Sequence, residues 1–282
     1  HVNRFQIATL GRGEVADEAL AQHGQIARDD DRSGGLRLAL GQLLDLDSVV
    51  VLNGDLLTGH DLPDEALVRA CLQSYRSLAS TSDRVVTADD LGRDPAGTAV
   101  IIALGQEGLI SAATLLTVTE ESPRAAARLR DAGLTPRLHL ALMGEADLPP
   151  WRPLSDGASL RERDGAMTTD PRRLARELDL DEAVEEFDAQ LVWMRERGLE
   201  PGAADFHTTA LYHLRSGALL EPTLRWCARH GLGFRLPQRM DPFPGTDALP
   251  VAARGLHAAA VHLADALGVG DGRAQVGTAL FS

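Results

Sequence analysis

From Val85 onward, short apolar runs that suit β-strands alternate with longer segments of helical period. That alternation constrains the fold more than any other feature of the chain. A strand that is followed by a helix before the next strand builds repeated βα units, whose strands lie parallel in one sheet. The pattern predicts a strand from Val85 into the Asp89-Asp90 pair, then a helix from Asp94 to Glu107 and a strand within Leu109 to Val118. Ser122 is the expected N-cap of a helix over Pro123 to Ala132, with Pro at the first helical position and Gly133 as the stop.

Further along, Arg137 to Leu142 reads as a strand and Asp170 to Gly198 as a helical stretch. In that stretch Asp181, Glu182, Glu185 and Glu186 form the solvated face, while Ala183, Val184, Phe187, Leu191 and Met194 take core spacing. A strand through Asp205-Phe206-His207, a helix from Glu221 to His230, a strand over Gly233 to Leu236 and an Ala-rich helix from Leu249 to Leu267 complete the series. Gly268 to Ser282 has little pattern. Upstream, Gly34 to Leu44 and Asp64 to Leu78 look helical and Ser48 to Leu52 is an apolar strand, so the first residues continue the rhythm. A single α/β domain over residues 1–282 is expected, without internal repeats.

Between Met143 and Thr169 the periodicity stops, and Pro149, Pro150, Pro153, Gly157 and Gly165 accumulate around Trp151. Long loops of this kind in compact enzymes often carry function.

Charge and composition narrow the function classes. With 44% hydrophobic and 24% charged residues the chain can bury a sizeable core, and its formal charge of −13 disfavours binding to a phosphate backbone. All 28 basic residues are Arg, which excludes a Schiff-base lysine and a phosphate-loop lysine. Cys71 and Cys227 stand far apart with no ligand neighbourhood, as buried structural thiols of a reducing compartment do. No apolar run reaches the ~20 residues needed to cross a bilayer, and no basic-then-apolar leader opens the chain. A cytoplasmic protein free of nucleic-acid and membrane partners is the expectation, and a homodimer is compatible with it.

Four residues draw attention as chemistry. Asp89 and Asp90 sit where a strand ends, the position at which ligands gather in βα proteins. If both stayed in a regular strand they would face opposite sides, whereas a bend helped by Gly92 brings both to one cavity. The alternative is that one of them caps the following helix. His139 alternates with Leu138 and Leu140, so on a barrel strand it points inward, either as a satisfied core histidine or as a ligand. His207 has the same two readings, and Asp205, two residues earlier on the same face, would orient it or touch a substrate. One carboxylate and two imidazoles make a good set for Zn and several other divalent ions.

The stretches Thr87-Ala88-Asp89-Asp90-Leu91-Gly92, Gly108 to Leu115, Leu138-His139-Leu140, Ala204-Asp205-Phe206-His207 and Phe234-Arg235-Leu236-Pro237, in this order and spacing, resemble the YdjC family of carbohydrate deacetylases. The resemblance covers residues 84–238 and leaves 1–83 as an atypical N-terminal segment. It implies a distorted (β/α) barrel resembling the polysaccharide deacetylases. It implies Asp90, His139 and His207 as ligands of a divalent metal ion, Zn or Mg foremost and Mn, Co or Ni acceptable, and Asp89 as general base. The implied reaction is removal of acetyl groups from an N-acetylated sugar. Beside the resemblance, Arg235 at a strand end is read either as a contact to substrate oxygens or as a salt-bridged barrel arginine, Trp151 in the long loop either as a stacking face for a sugar or as an anchor of the loop, and Asp205 as a further substrate contact.

The chain departs from the family pattern at two places. Thr208 and Thr209 follow His207 where the family carries further histidines, and the late His-Pro motif is absent. A second reading is therefore a deacetylase-like protein that binds a carbohydrate without cleaving it. The strand at Ser48 and the helix at Asp64 are expected to take the barrel place that the family fills with C-terminal structure. His60, in the loop between them, would then complete the catalytic groups; otherwise it is a surface histidine. The run Val49-Val50-Val51-Leu52-Asn53-Gly54-Asp55 is similar to the metal-binding strand of sugar nucleotidyltransferases, but neither a Gly-rich phosphate loop nor a catalytic lysine accompanies it.

Overall fold

The alternating pattern folds as five parallel strands joined by helices. The computed structural model describes residues 87–108, 110–236 and 251–270. Strand β1 (Thr87–Leu91), helix α1 (Pro95–Gln106), β2 (Ala112–Leu115), α2 (Ser122–Ala132) and β3 (Thr135–Leu140) come first. After a long loop follow α3 (Pro171–Glu177), α4 (Leu180–Arg195), β4 (Ala203–Phe206), α5 (Thr209–His213), α6 (Leu220–His230), β5 (Gly233–Phe234) and α7 (Val251–Leu267). The sheet order is β1-β2-β3-β4-β5, with every neighbouring pair parallel.

Sequential parallel order is the order in which a (β/α) barrel adds its strands. Past α7, Gly270 makes a parallel bridge to Phe234, so a sixth strand position opens beside β5. The sequence pattern assigned nothing there.

Local chemistry explains most boundaries. Asp94 caps α1 by accepting from the backbone N–H groups of Ala96 and Gly97, with Pro95 behind it. This settles the capping alternative for the carboxylate pair, because Asp94 does that work and leaves Asp89 and Asp90 free of it. At α2 the cap position falls on Glu121, one residue before the expected Ser122, whose hydroxyl instead exchanges hydrogen bonds with Thr119. The predicted helix over Asp170 to Gly198 is two helices, since Leu178 leaves helical geometry and Asp179 accepts from the N–H groups of Asp181 and Glu182 to start α4.

The core lies between sheet and helices. Leu115, Leu138 and Leu140 from the strands and Ile101, Leu129, Phe187, Leu191, Leu224 and Trp226 from the helices are fully or nearly fully buried. Phe187 meets Phe206 and Trp226 with ring centroids 6.2 and 5.6 Å apart, which ties α4 to β4 and α6. One member of the expected solvated face of α4 is misplaced by periodicity: Glu186 is 0% exposed. Its carboxylate accepts from the backbone N–H groups of Leu154 and Ser155 and from Gln190, and Gln190 in turn bonds both backbone groups of Ala141 just past β3. The long loop is thus pinned by a buried acid.

Several sequence expectations lie outside the described residues: the start of the first strand at Val85 and Val86, the elements before it, His60, Cys71 and the Val49 to Asp55 run.

Candidate active site

Strand β1 delivers both aspartates to the same cavity by a bulge. Between Ala88 and Leu91 it advances three residues while its partner β2 advances two, from Ala113 to Leu115. The extra residue is absorbed at Asp90, which takes a left-handed φ of 63°. Such a conformation costs about 1–2 kcal/mol in a residue with a Cβ, least in Asp and Asn, and it persists only where the surroundings fix it. The bend expected at Gly92 therefore falls two residues earlier, on Asp90 itself. Gly92 also has positive φ, 88°, and a Cβ there would stand 3.2 Å from the Leu116 carbonyl oxygen.

The carboxyl ends of β3 and β4 supply the histidines. Asp90 Oδ1 lies 2.8 Å from His139 Nε2 and 2.9 Å from His207 Nδ1. The donor atoms of these three residues all fall within 4.8 Å of one another. An ion about 2.0–2.2 Å from each would set neighbouring donors only about 3–3.5 Å apart. The two Asp90–histidine spacings, 2.8 and 2.9 Å, thus lie only a little under that separation.

Behind each imidazole stands a carboxylate. His139 Nδ1 is 2.6 Å from Asp205 Oδ1, and His207 Nε2 is 3.1 Å from Glu145 Oε1. Metal-binding histidines characteristically use their second nitrogen in this way. The fit is therefore one of donor type, spacing and supporting acceptors together.

A second layer is ionic. Arg235 donates from one guanidinium nitrogen to Asp89 Oδ2 at 2.6 Å and pairs closely with Asp205, and the Thr114 hydroxyl donates to Asp89 Oδ1 at 3.0 Å. Arg93, with a nearly buried side chain, grips Glu145 through two nitrogens, one of them 2.8 Å from Oε1. Tyr212 fixes the neighbourhood of Arg235 by donating its hydroxyl to the Arg235 carbonyl at 3.0 Å.

This packing of charge shifts the ionisations. Burial opposes the Asp90 charge, but His207 beside it and hydrogen bonds from both histidines hold its carboxyl far below the usual carboxylate range. Burial likewise disfavours the His139 imidazolium, yet Asp205 and then Asp90 outweigh it and push the ring up to about 10. His207 moves up for the same reason, with Asp90 and Glu145 as its partners. Glu145 is held at about 2 against burial by Arg93 and His207. Asp89 goes the other way, raised by burial and by the Asp205 charge despite the guanidinium of Arg235.

All the sequence-derived site residues that are described come together here, in different attitudes. Asp205, expected to orient His207 or meet substrate, is fully buried and engages His139 and Arg235. Both of its carboxylate oxygens are thus engaged within the protein. Trp151 is 2% exposed, packed with Leu116, Val118, Ala141 and Met167, its ring centroid 5.0 Å from that of His207. It walls the imidazole and anchors the loop, with no open face on which a sugar ring could stack. Arg235 is held by two carboxylates. Sequence reasoning missed Arg93, Thr114 and Glu145, although Glu145 follows the end of β3, where the carboxyl-end rule for βα proteins directs attention.

Residues 85–277 match the profile of the family described as YdjC-like protein. A solved structure of similar fold is that of a candidate cellobiose-phosphate cleavage protein from Enterococcus faecalis V583, with a TM-score of 0.50 and 19% identity. That likeness covers 65% of this chain and 64% of the other. No curated protein matches the chain at a significant level. No helix among the described residues is long and apolar enough to cross a membrane.

Proposed function

Because the chain belongs to the YdjC-like family, we propose that it is a metal-dependent hydrolase that removes acetyl groups from N-acetylated sugars or oligosaccharides. The observation that carries the reading is the convergence of Asp90, His139 and His207 at the carboxyl ends of three parallel strands, each imidazole backed by a carboxylate. These three residues would hold the divalent ion, which when bound supplies a Lewis acid for the amide carbonyl and lowers the pKa of water.

The chain's own residues divide the remaining work. Asp90 contributes an ionised carboxylate, kept so by its neighbours. Asp89 is the general base: it lies next to Asp90 in the bulged strand, and Arg235 and Thr114 fix its carboxylate plane. Burial and the neighbouring Asp205 charge raise its pKa, which strengthens it as a base toward the attacking water. Asp205 couples the two halves, holding the His139 ring through one oxygen and Arg235 through the other. Trp151 keeps water from the flank of His207.

Binding of a carbohydrate without cleavage is the second reading, favoured by Thr208 and Thr209 in the positions after His207. One experiment separates the two. Purified protein loaded with Zn²⁺, Mg²⁺, Mn²⁺, Co²⁺ or Ni²⁺ is incubated with N-acetylglucosamine oligomers and acetate is measured. Metal-dependent release supports deacetylation, and saturable sugar binding without release supports the alternative.

A further inference from the structure

The two imidazoles of the site are held from opposite ends. His139 turns Nε2 toward Asp90 and Nδ1 toward Asp205, whereas His207 turns Nδ1 toward Asp90 and Nε2 toward Glu145. A neutral imidazole has one N–H and one lone pair, and which nitrogen keeps the proton follows from what accepts it. For His207 that acceptor is Glu145 Oε1.

Glu145 does not reach this place by loop geometry alone. The Arg93 guanidinium clamps both of its oxygens, with Nε 2.8 Å from the same Oε1 that faces His207. A two-point guanidinium–carboxylate pair fixes the plane of the carboxylate as well as its position. The Arg93 side chain is 3% exposed, so the clamp is built into the protein at the turn after β1. Three strand ends are thereby linked: Arg93 after β1, Glu145 after β3 and His207 after β4.

From this geometry we infer that Glu145 is a positioning residue that sets His207 as an Nδ1 ligand, making the centre a mixed one with Nε2 of His139 and Nδ1 of His207. The inference rests on the metal-centre reading above. Without the carboxylate, the His207 ring has no partner holding its Nε2–H and no reason to keep its Nδ1 lone pair aimed beside Asp90. Loss of an outer acceptor of this kind typically costs about 10–100-fold in metal affinity. An amide at the same place still offers an acceptor oxygen and should restore much of the loss.

The test compares wild type, Glu145→Ala and Glu145→Gln by chelator-competition titration with Zn²⁺, and by ¹⁵N-detected NMR of histidine tautomers in the Zn²⁺-loaded proteins. The expected results are an affinity lower by about 10–100-fold in Glu145→Ala, a smaller loss in Glu145→Gln, and wild-type His207 bound through Nδ1 with its proton on Nε2. Wild-type affinity in Glu145→Ala, or coordination of His207 through Nε2, overturns the inference and leaves the metal centre standing. If wild type binds no Zn²⁺, the metal-centre reading falls and the inference with it. Should Glu145→Ala not fold, Glu145→Gln and the wild-type tautomer still decide.

Discussion

Asp205 Oδ1 stands 2.6 Å from His139 Nδ1, both side chains buried, on neighbouring parallel strands whose register sets His139 directly opposite Asp205. The pair is therefore a product of strand pairing, and the carboxylate fixes the ring whose Nε2 faces Asp90. Asp205→Asn preserves shape and an acceptor oxygen but removes the charge that holds both the imidazole and Arg235. Zn²⁺ affinity should fall about 10–100-fold, measured by chelator competition, with the far-ultraviolet circular dichroism unchanged. An unaltered affinity would show that the contact is only packing.

Protons and metal should compete for the centre. In the metal-free protein His139 keeps its proton up to about pH 10, and His207 is shifted in the same direction. Below about pH 10, displacement of the His139 proton alone should raise affinity roughly tenfold per pH unit, and the upward shift of His207 adds to that slope in the same sense. Zn²⁺ titrations between pH 6.5 and 8.5, in buffers of different ionisation enthalpy, read both the slope and the proton release. A flat dependence would contradict the assignment. For metal-free stability the sign is the reverse: His139 is raised from an ordinary 6.5 to about 10. Its contribution is complete below 6.5 and is lost as pH climbs through 10.

Asp89 and Asp90 adjoin in sequence yet should separate cleanly in function. Asp89→Asn keeps an oxygen for Arg235 while its amide NH2 can donate to the Thr114 hydroxyl, and it leaves the three proposed metal-holding residues untouched. Acetate release should drop by about 10²–10⁴-fold, the usual worth of a general base, while Zn²⁺ affinity changes little. Full acetate release by this variant refutes the base. Asp90→Asn should do the opposite, losing the metal while tolerating the left-handed φ of 63°, because Asn enters that region readily.

How much of this was legible in the sequence follows from the range of each interaction. The βα alternation and the ends of α1 and α6 are local, set by period, Asp94, Pro95 and Gly231, and they were read to within a few residues. Asp89, Asp90, His139 and His207 could be picked out because chemically capable residues at strand ends share one rim of a parallel sheet. The bulge at Asp90 was not legible, because it is defined by pairing with β2. Nor was the partner of Asp205, since pleating places it on the His207 face of its own strand while strand register hands it to His139. Glu145 and Arg93 find each other across 52 residues, and nothing local marks that distance. The sequence leaves Trp151 as either a sugar platform or a loop anchor, because burial of a loop aromatic depends on distant partners, and its ring, buried against His207, takes the second role.

Helical period predicts that Glu186 faces solvent, yet it is fully buried. Its two oxygens accept from the Leu154 and Ser155 N–H groups of the loop that carries Trp151, and from Gln190, which pairs with Ala141 beyond β3. Glu186→Ala leaves those donors without acceptors and opens a polar hole at a fully buried position. Each unsatisfied buried donor costs about 1–3 kcal/mol, and partial access of water at Leu154 moderates the sum. The expected loss is about 2–4 kcal/mol in urea unfolding, accompanied by faster proteolysis between Met143 and Thr169. Glu186→Gln retains one acceptor and should lose less. The loop also sets Trp151 against His207, so Glu186→Ala should weaken Zn²⁺ binding although Glu186 touches none of its ligands. Equal stability of the three proteins, with the loop equally resistant to protease, would mean that the loop is held by its apolar contacts alone.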